Sequence, residues 1–155
     1  MKSKFRTVRG YELQDKNKKL THAMEDYLEM IYRLHLNDNY VKTSDLAKLL
    51  NVKESSVSKM IQKLEKLNLL NHEKYKAITL TNEGKKIGKI LLDRHNTIEK
   101  FLKLIGIENN ILKETELMEH VLSSQTIEKI KILTEIIENE NITEKLKNKK
   151  TNHHD

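Results

Sequence analysis

The spacing of apolar residues restricts this chain to a mostly helical fold. Proline is absent from the 155 residues and glycine occurs only four times, so little in the sequence interrupts a helix. Apolar side chains recur at intervals of three and four residues over most of the length, which is the period of a helix with one buried face. We therefore predict a mainly α fold built from several amphipathic helices.

The apolar pattern divides the chain into six predicted helices and one hairpin. The helices are placed at about 20–36, at 43–51, around 57–67, at 82–105, around 116–121 and at 125–139. Thr43 and Ser44 suit the start of the second helix as capping residues, and Thr81 suits the start of the fourth. Partial alternation within 69–80 predicts a two-stranded hairpin.

The second and third helices are joined by a turn of only a few residues through Val52 and Lys53. Two short helices with such a turn are typical of a helix-turn-helix unit, and a hairpin directly after them is typical of a winged helix. The outer face of the third helix offers hydroxyl, amide and ammonium groups suited to phosphate and base edges, namely Ser55, Ser56, Ser58, Lys59, Gln62 and Lys63. Lys74 and Lys76 would lie near the hairpin tip, beside the DNA backbone. On these residues alone, an ordinary solvated helix face explains the pattern equally well.

Charge and composition exclude several classes of protein. The formal net charge is +6 and the pI about 9.3, which favours a polyanionic partner without identifying one. Cysteine is absent, so disulfides, thiolate metal sites and cysteine nucleophiles are excluded. No stretch approaches the roughly 20 apolar residues of a membrane span, and no apolar segment follows the basic N-terminus. We expect a cytoplasmic protein without a membrane partner.

Two histidines and four carboxylates stand out as candidate metal ligands. On a helical wheel, Asp26 and Glu29 fall nearly opposite the apolar face of the first helix, so both are free to meet another element. His95 lies on an apolar stripe, where a lone histidine is better explained as a satisfied core residue. The spacing of Glu116, Glu119 and His120 places all three on one helix face, which solvent-facing glutamates beside an incidental histidine would explain equally well.

The segment from Thr21 to about Glu140 resembles the diphtheria-toxin-repressor family, and within it the manganese-type regulators. The resemblance is carried, in the family's order, by Met24-Glu25-Asp26-Tyr27-Leu28-Glu29-Met30-Ile31-Tyr32, Ser55-Ser56-Val57-Ser58-Lys59-Met60, Leu80-Thr81 with Gly84-Lys85-Lys86-Ile87-Gly88, Arg94-His95, and Glu116-x-x-Glu119-His120. Each string alone is weak, whereas the combination is specific. It implies an N-terminal winged helix-turn-helix domain and a C-terminal helical dimerisation domain, without the SH3-like third domain of the longer members.

The resemblance also implies a metal site. All six family ligand positions carry competent ligands here: Asp26, Glu29, His95, Glu116, Glu119 and His120. Iron-type members have methionine at the position of Asp26 and cysteine at that of Glu116. Carboxylates at both positions match the manganese type, and oxygen ligands fit Mn²⁺ better than sulfur does. A binuclear centre is implied, since two divalent ions would relieve repulsion among four carboxylates; Fe²⁺ remains an alternative effector.

The function implied is that of a metal-dependent transcriptional regulator, a repressor of metal-uptake genes. It would act as a homodimer on double-stranded DNA with two half-sites, with metal bridging the two domains. The last helix supports a partner subunit, because its stripe of Ile127, Ile130, Leu133, Ile136 and Ile137 is more apolar than so small a chain needs. The predicted division is a basic arm at 1–19, the DNA-binding domain at 20–84, the metal-binding and dimerisation domain at 85–140, and a polar basic tail at 141–155.

Two other classes compete with this interpretation. An enzyme using the same ligands is disfavoured, because the chain has no His-Glu-x-x-His, no Glu-x-x-His pair and no Gly-rich phosphate loop. A winged-helix protein that binds DNA without metal would leave the acidic face merely solvated. DNA binding that ignores a chelator would favour that second class.

Overall fold

A computed structural model of the chain describes residues 20–37, 41–72, 77–140 and 142. Within these ranges the elements are α1 (His22–Asn37), α2 (Thr43–Leu49), α3 (Glu54–Lys66), β1 (Leu70–His72), β2 (Ile78–Leu80), α4 (Asn82–Leu104), α5 (Ile111–Val121) and α6 (Ser124–Asn139). The mainly α prediction is confirmed. The predicted limits of α1, α2, α4 and α6 agree with the structure to within about two residues. Helix α3 begins three residues before the predicted 57, and α5 begins five residues before the predicted 116. The predicted arm at 1–19, the lysines Lys74 and Lys76, and the tail apart from Ile142 lie outside the described residues.

Helices α2 and α3 form the predicted helix-turn-helix. The chain turns at Asn51, whose φ of 51° lies in the left-handed region that asparagine tolerates better than most residues. The N–H of Val52 then donates to the Ala47 carbonyl at 3.0 Å, which closes the turn. The expectation that Thr43 or Ser44 caps α2 is wrong. Lys42 occupies the N-cap position without a side-chain cap, so Thr43 and Ser44 belong to the first turn.

The hairpin is the predicted wing. Strands β1 and β2 pair antiparallel, with Leu70 opposite Leu80 and His72 opposite Ile78. Val41 adds a short bridge to Ile78 through reciprocal backbone hydrogen bonds of 3.1 and 2.8 Å. The side chains buried beneath the wing form one core with α1, α2 and α3, including Leu28, Ile31, Leu46, Ile61, Leu64, Leu70 and Ile78.

Helix α4 connects this core to a second one. Thr81 caps the helix as predicted, its hydroxyl accepting from the Gly84 N–H at 3.0 Å. A Cβ on Gly88 would lie 2.7 Å from the Cβ of Tyr32. Helices α1 and α4 therefore cross so closely at this point that only glycine fits without a shift of the backbone. Further along, α4 contributes Ile98 and Leu102 to the second core. The predicted boundary between residues 84 and 85 therefore falls in the first turn of a helix that both halves share.

Helices α5 and α6 fold back along α4. A guanidinium N–H of Arg94 donates to the Leu122 carbonyl at 3.3 Å, and Lys100 pairs with Glu138 at 2.8 Å. Ser123 caps α6 by accepting from the Thr126 N–H. None of the helices in the described ranges is long and apolar enough to cross a membrane.

The predicted apolar stripe on α6 is partly buried within the chain and partly exposed to solvent. Its members Ile127 and Ile137 are buried within the chain, whereas Leu133 and Ile136 are each 46% exposed. The apolar surface left over on α6 therefore consists of Ile132, Leu133 and Ile136.

Candidate metal centre

The six side chains predicted as metal ligands meet at one place, between α1, α4 and α5. Helix α1 brings Asp26 and Glu29, α4 brings His95, and α5 brings Glu116, Glu119 and His120. They meet because α1 crosses α4 closely at Gly88 and α5 returns along α4 toward that crossing. No single helix holds a complete set of ligands, so the site exists only when the two halves of the chain are packed together.

Four of these residues form a first cluster. Asp26, Glu116, Glu119 and His120 each offer one ligand atom, and the four atoms lie within 4.8 Å of one another. The Nε2 of His120 lies 2.8 Å from the Oδ1 of Asp26, which directly joins α5 to α1.

A second cluster lies beside the first and shares Glu119 with it. Glu29, His95 and Glu119 again place one ligand atom each within 4.8 Å of one another, and all three residues are buried. The Nδ1 of His95 lies 2.9 Å from Glu119 Oε2 and 3.7 Å from Glu29 Oε1. Glu116 approaches the same nitrogen at 3.6 Å. The carboxylate of Glu119 is thus placed between two sets of ligands.

Several carboxylates lie close together in the two clusters, so a positive charge between them would be stabilised. Burial, together with the neighbouring Glu119, raises the pKa of Glu116 above its usual value. Burial raises the pKa of Glu29 as well, an effect that the Arg33 guanidinium opposes. Contacts with Asp26 and then Glu25 raise the pKa of His120 to about 10, and the hydrogen bond to Glu119 raises that of His95. In both clusters the carboxylates therefore favour a positively charged partner.

The donor set fits a divalent transition metal. Carboxylate oxygens and imidazole nitrogens suit ions such as Mn²⁺ and Fe²⁺, and each imidazole already directs a nitrogen at carboxylate oxygens from another helix. A metal ion could bind between these groups without new ligands having to be recruited.

Two residues at this site were not predicted from the sequence. Glu25 is buried and accepts a hydrogen bond from the Nδ1 of His120 at 3.1 Å. His22 stacks on His120, with the ring centroids 4.6 Å apart and the planes 14° from parallel. Together they fix the orientation of the His120 ring and leave Nε2 pointing at Asp26. Their positions on α1 gave a usable signal, since Glu25 lies one turn before Glu29.

A cavity of about 270 Å³ opens beside the clusters. It is lined by Asp26, Glu29, Met30, Arg33, Leu50, His95, Leu112 and Glu116. Its wall includes Arg33, which pairs with Glu29 across one turn of α1. The cavity thus gives solvent a route to ligands from all three helices.

The predicted DNA face lies on a different surface. Ser55, Ser56, Lys59, Gln62 and Lys63 are exposed on α3, whereas Ser58 is half-buried and its hydroxyl donates to the Glu54 carbonyl at 3.0 Å. Ser58 is therefore less available for a partner than its neighbours. The wing lysines Lys74 and Lys76 lie outside the described residues.

Comparison with known proteins identifies the family. The profile described as the iron-dependent repressor, N-terminal DNA-binding domain, matches residues 19–78. The profile described as the iron-dependent repressor, metal-binding and dimerisation domain, matches residues 81–154. The chain belongs to the iron-dependent repressor family. Both halves of the repressor architecture are present, in the order that the sequence predicted.

The repressor resembles several curated transcriptional regulators named MntR. It is 45% identical over 135 residues to the HTH-type transcriptional regulator MntR of Lysinibacillus sphaericus (strain C3-41), a match covering 86% of this chain and 97% of that protein. It is 46% identical over 138 residues to MntR of Bacillus subtilis (strain 168), with the same two coverages. These relatives have almost the same length as the matched segment.

Solved structures of transcriptional regulators also match this chain, at lower sequence identity. A manganese-dependent transcriptional repressor in complex with manganese matches with a TM-score of 0.66 at 28% identity, over 72% of this chain and 52% of that one. The manganese regulator SloR matches with a TM-score of 0.64 at 29% identity, over 72% of this chain and 53% of its own. The repressor thus spans about half the length of these solved chains.

Proposed function

We propose that this chain is a Mn²⁺-responsive transcriptional repressor whose metal centre joins the DNA-binding half to the dimerisation half. Its family membership makes it a metal-dependent, DNA-binding regulator of transcription. The proposal adds the metal, the residues that hold it and the way in which they act. The observation that carries it is the convergence of ligands from α1, α4 and α5 on one buried carboxylate, Glu119.

Two ions fit the arrangement of ligands better than one. The first cluster supplies three carboxylates and an imidazole, the second supplies two carboxylates and an imidazole, and Glu119 belongs to both. A carboxylate has two oxygens and can serve a different ion with each. When bound, the ions supply the positive charge that offsets the repulsion among the four carboxylates.

The proposed ligands lie on helices of both halves of the chain, so metal binding can change how the two halves pack against each other. Asp26 and Glu29 are on the same helix as Leu28 and Ile31, which are fully buried in the core of the winged helix. Glu119 and His120 are on α5, which packs on the far half of α4. Residues that hold α1 against α5 therefore fix the orientation of the winged helix relative to the dimerisation half.

DNA binding depends on that orientation. A repressor dimer with two recognition helices binds an operator with two half-sites only when the spacing of the helices matches that of the half-sites. We propose that a flexible joint would sample many spacings and that a fixed joint lowers the ordering cost of binding. Metal and DNA would then each raise the affinity for the other.

The choice of Mn²⁺ over Fe²⁺ is proposed from the ligands and the relatives. Asp26 and Glu116 both offer oxygen, and harder oxygen donors favour Mn²⁺ over metals that prefer sulfur or nitrogen. The relatives that match over nearly their whole length are regulators named MntR. We further propose that the repressor is cytoplasmic, where its DNA would be, and that it controls genes for metal uptake.

The test is DNA binding titrated with single metals under anaerobic conditions. An operator is first selected from a random duplex pool with protein and Mn²⁺, and binding to it is then measured with Mn²⁺, Fe²⁺, Co²⁺, Zn²⁺ and with chelator. We expect strong binding with Mn²⁺ and loss of binding with chelator. Operator affinity that is unchanged by chelator would overturn the proposal, and activation by Fe²⁺ at lower concentration than by Mn²⁺ would assign iron as the effector.

The ligand assignment has its own test. Asp26→Met combined with Glu116→Cys exchanges two oxygen donors for sulfur donors, and we expect the response to shift from Mn²⁺ toward Fe²⁺ or Co²⁺. The measurement is the concentration of each metal that gives half-maximal DNA binding, in parent and variant. An unaltered order of metals would show that these two positions do not determine selectivity.

A further inference from the structure

The positively charged guanidinium of Arg33 contacts Glu29, one of the proposed metal ligands. The Nε of Arg33 donates to Glu29 Oε1 at 2.8 Å, and its Nη2 lies 2.6 Å from the same oxygen. Both contacts therefore go to the same carboxylate oxygen. Glu29 is buried, whereas the Arg33 side chain is 35% exposed and lines the cavity beside the clusters.

The oxygen that Arg33 holds is the one that faces the second cluster. Glu29 Oε1 lies 3.7 Å from the Nδ1 of His95, and Glu29, His95 and Glu119 are the three ligands of that cluster. A metal ion coordinated by Glu29 and His95 would need the space or the oxygen that the guanidinium now occupies. Guanidinium and metal ion are both cations, so they also repel each other over a few ångströms.

Among the described residues, no arginine or lysine forms an ion pair with a carboxylate of the first cluster. In the described part of the chain, the ion pairs of Asp26, Glu116 and Glu119 are made with His95 and His120. An imidazole can give up its proton to become a neutral metal ligand, whereas an arginine stays charged at every pH of interest. Both clusters contain an imidazole that can become a neutral ligand, but in the described part of the chain only the second also has a fixed positive charge on one of its carboxylates.

We propose that Arg33 is a tethered competitor for Glu29, which weakens metal binding at the second cluster without affecting the first. The inference rests on the proposed function, since it assumes that both clusters bind metal. Arg33 is able to leave because its side chain is partly exposed and borders the open cavity. Metal at the second cluster thus requires the guanidinium to move away from Glu29 into solvent.

Two consequences follow for the response of the repressor. The free-metal concentration at which the second ion binds is set by the strength of the Arg33–Glu29 pair. Full occupancy then occurs at a higher concentration than the ligands alone would dictate. We expect loss of the Arg33–Glu29 pair to change the affinity for the second ion by up to about tenfold, because the pair is charge-assisted but the partial exposure of Arg33 weakens it.

The test uses Arg33→Gln and measures Mn²⁺ binding to the metal-free, DNA-free protein. Calorimetric titration gives the affinity of each ion, and the low-temperature EPR signal of coupled Mn²⁺ pairs reports the second ion directly. We expect Arg33→Gln to tighten the second binding event about tenfold, with the first unchanged within twofold. Arg33→Lys keeps the charge but loses the planar two-nitrogen contact, so its affinity should lie between those of parent and Arg33→Gln.

A matched control is available on α4. Lys103 pairs with Glu99 across one helical turn at 2.6 Å, outside both clusters. Lys103→Gln removes one positive charge of the same kind, and both affinities should stay at the parental values. Tightening of equal size in this control would show that Arg33 acts only through net charge and would overturn the proposal.

The remaining outcomes separate this inference from the proposed function. If parent and Arg33→Gln bind two ions with identical affinities, Arg33 does not compete and the proposed function stands. If Arg33→Gln binds the second ion more weakly, Arg33 positions Glu29 as a ligand instead of blocking it, and the proposal is wrong. If neither protein binds Mn²⁺, the metal-dependent function fails and this inference fails with it.

Discussion

Glu25 and His120 join α1 to α5 through a hydrogen bond of 3.1 Å between Oε2 and Nδ1. The contact links two residues that are 95 positions apart in the sequence. It uses the imidazole nitrogen that faces away from Asp26, so it fixes which nitrogen of His120 is directed at the candidate metal centre. Carboxylates that hold a metal-binding histidine in this way usually affect metal affinity as well as geometry.

We therefore predict that Glu25→Ala weakens Mn²⁺ binding by about 10- to 100-fold, the usual cost of losing such a partner. Glu25→Gln retains an oxygen that can accept from Nδ1 and should recover part of the affinity. The measurement is free Mn²⁺ by room-temperature EPR during a titration of metal-free protein. Circular dichroism of both variants without metal checks that the fold is intact. Parental Mn²⁺ affinity in Glu25→Ala would show that His120 needs no orienting partner.

The sequence predicted much of this site because of the period of α1. At about 100° per residue, positions 22, 25, 26, 29 and 33 fall within a sector of about 100°. The wheel identified Asp26 and Glu29 as facing away from the core, and the structure agrees that both meet α4 and α5. It carried the same signal for Glu25, His22 and Arg33, which only the arrangement in space distinguishes from solvated polar residues.

Long-range packing accounts for what the sequence did not predict. His95 lies between Leu91 and Ile98 on a buried stripe, so periodicity alone favours a core histidine. Its partners Glu29 and Glu119 come from two other helices, and only the crossing at Gly88 brings them together. Likewise the α6 stripe looked continuous in sequence, yet Ile127 and Ile137 are turned inward while Leu133 and Ile136 are turned outward.

The crossing of α1 and α4 gives a second prediction. Gly88→Ala places a Cβ 2.7 Å from the Cβ of Tyr32, which is fixed to the α1 backbone, so the helices must move apart. We expect overpacking of about 1–3 kcal/mol to outweigh the roughly 1 kcal/mol gained in helix propensity. The variant should unfold at lower temperature and bind Mn²⁺ more weakly, since Asp26 and Glu29 move with α1. Lys89→Ala, on the exposed face of α4, is the control. A more stable Gly88→Ala protein with normal metal affinity would contradict this account of the crossing.

The exposed surface of α6 gives a third prediction. Leu133 and Ile136 are each 46% exposed beside the 41%-exposed Ile132, and a contiguous apolar patch of this kind favours contact with another subunit. We expect the protein to be a homodimer without metal or DNA, and Leu133→Lys with Ile136→Lys to shift it toward monomer. Sedimentation equilibrium at micromolar concentration measures the change, with Lys129→Ala on the same helix as control. A double variant with the parental dimer constant would place the interface elsewhere.

The outer face of α3 gives a fourth prediction. Lys59 and Gln62 are exposed on the second helix of the helix-turn-helix, and this helix carries none of the proposed metal ligands. Lys59→Ala should weaken binding to all DNA and lower the salt slope by about one, because it removes a phosphate contact. Gln62→Ala should reduce discrimination among sequences with less change in the slope. Mn²⁺ affinity of the free protein should be unaltered in both. Full operator affinity in both variants would show that the recognition surface lies elsewhere.

We propose that one metal centre joins the two halves of the repressor. Glu29 lies on α1 with the winged helix, and His120 lies on α5 with the dimerisation half. The effects of replacing Glu29 and His120 on Mn²⁺-stimulated operator binding should not add, because either replacement disrupts the same metal centre. Weak, salt-sensitive binding to any DNA should persist in both variants, because the exposed lysines are untouched.

The most direct measurement is a double-mutant cycle on Mn²⁺-stimulated operator binding, using Glu29→Gln, His120→Ala and the two combined. Fluorescence anisotropy with and without Mn²⁺ gives the stimulation for each protein, and thermal unfolding with chelator confirms that each is folded. We expect each single variant to lose the Mn²⁺ stimulation and the double variant to be scarcely worse. Additive losses, or a Glu29→Gln protein that responds to Mn²⁺ like the parent, would contradict a metal bridge between the two halves.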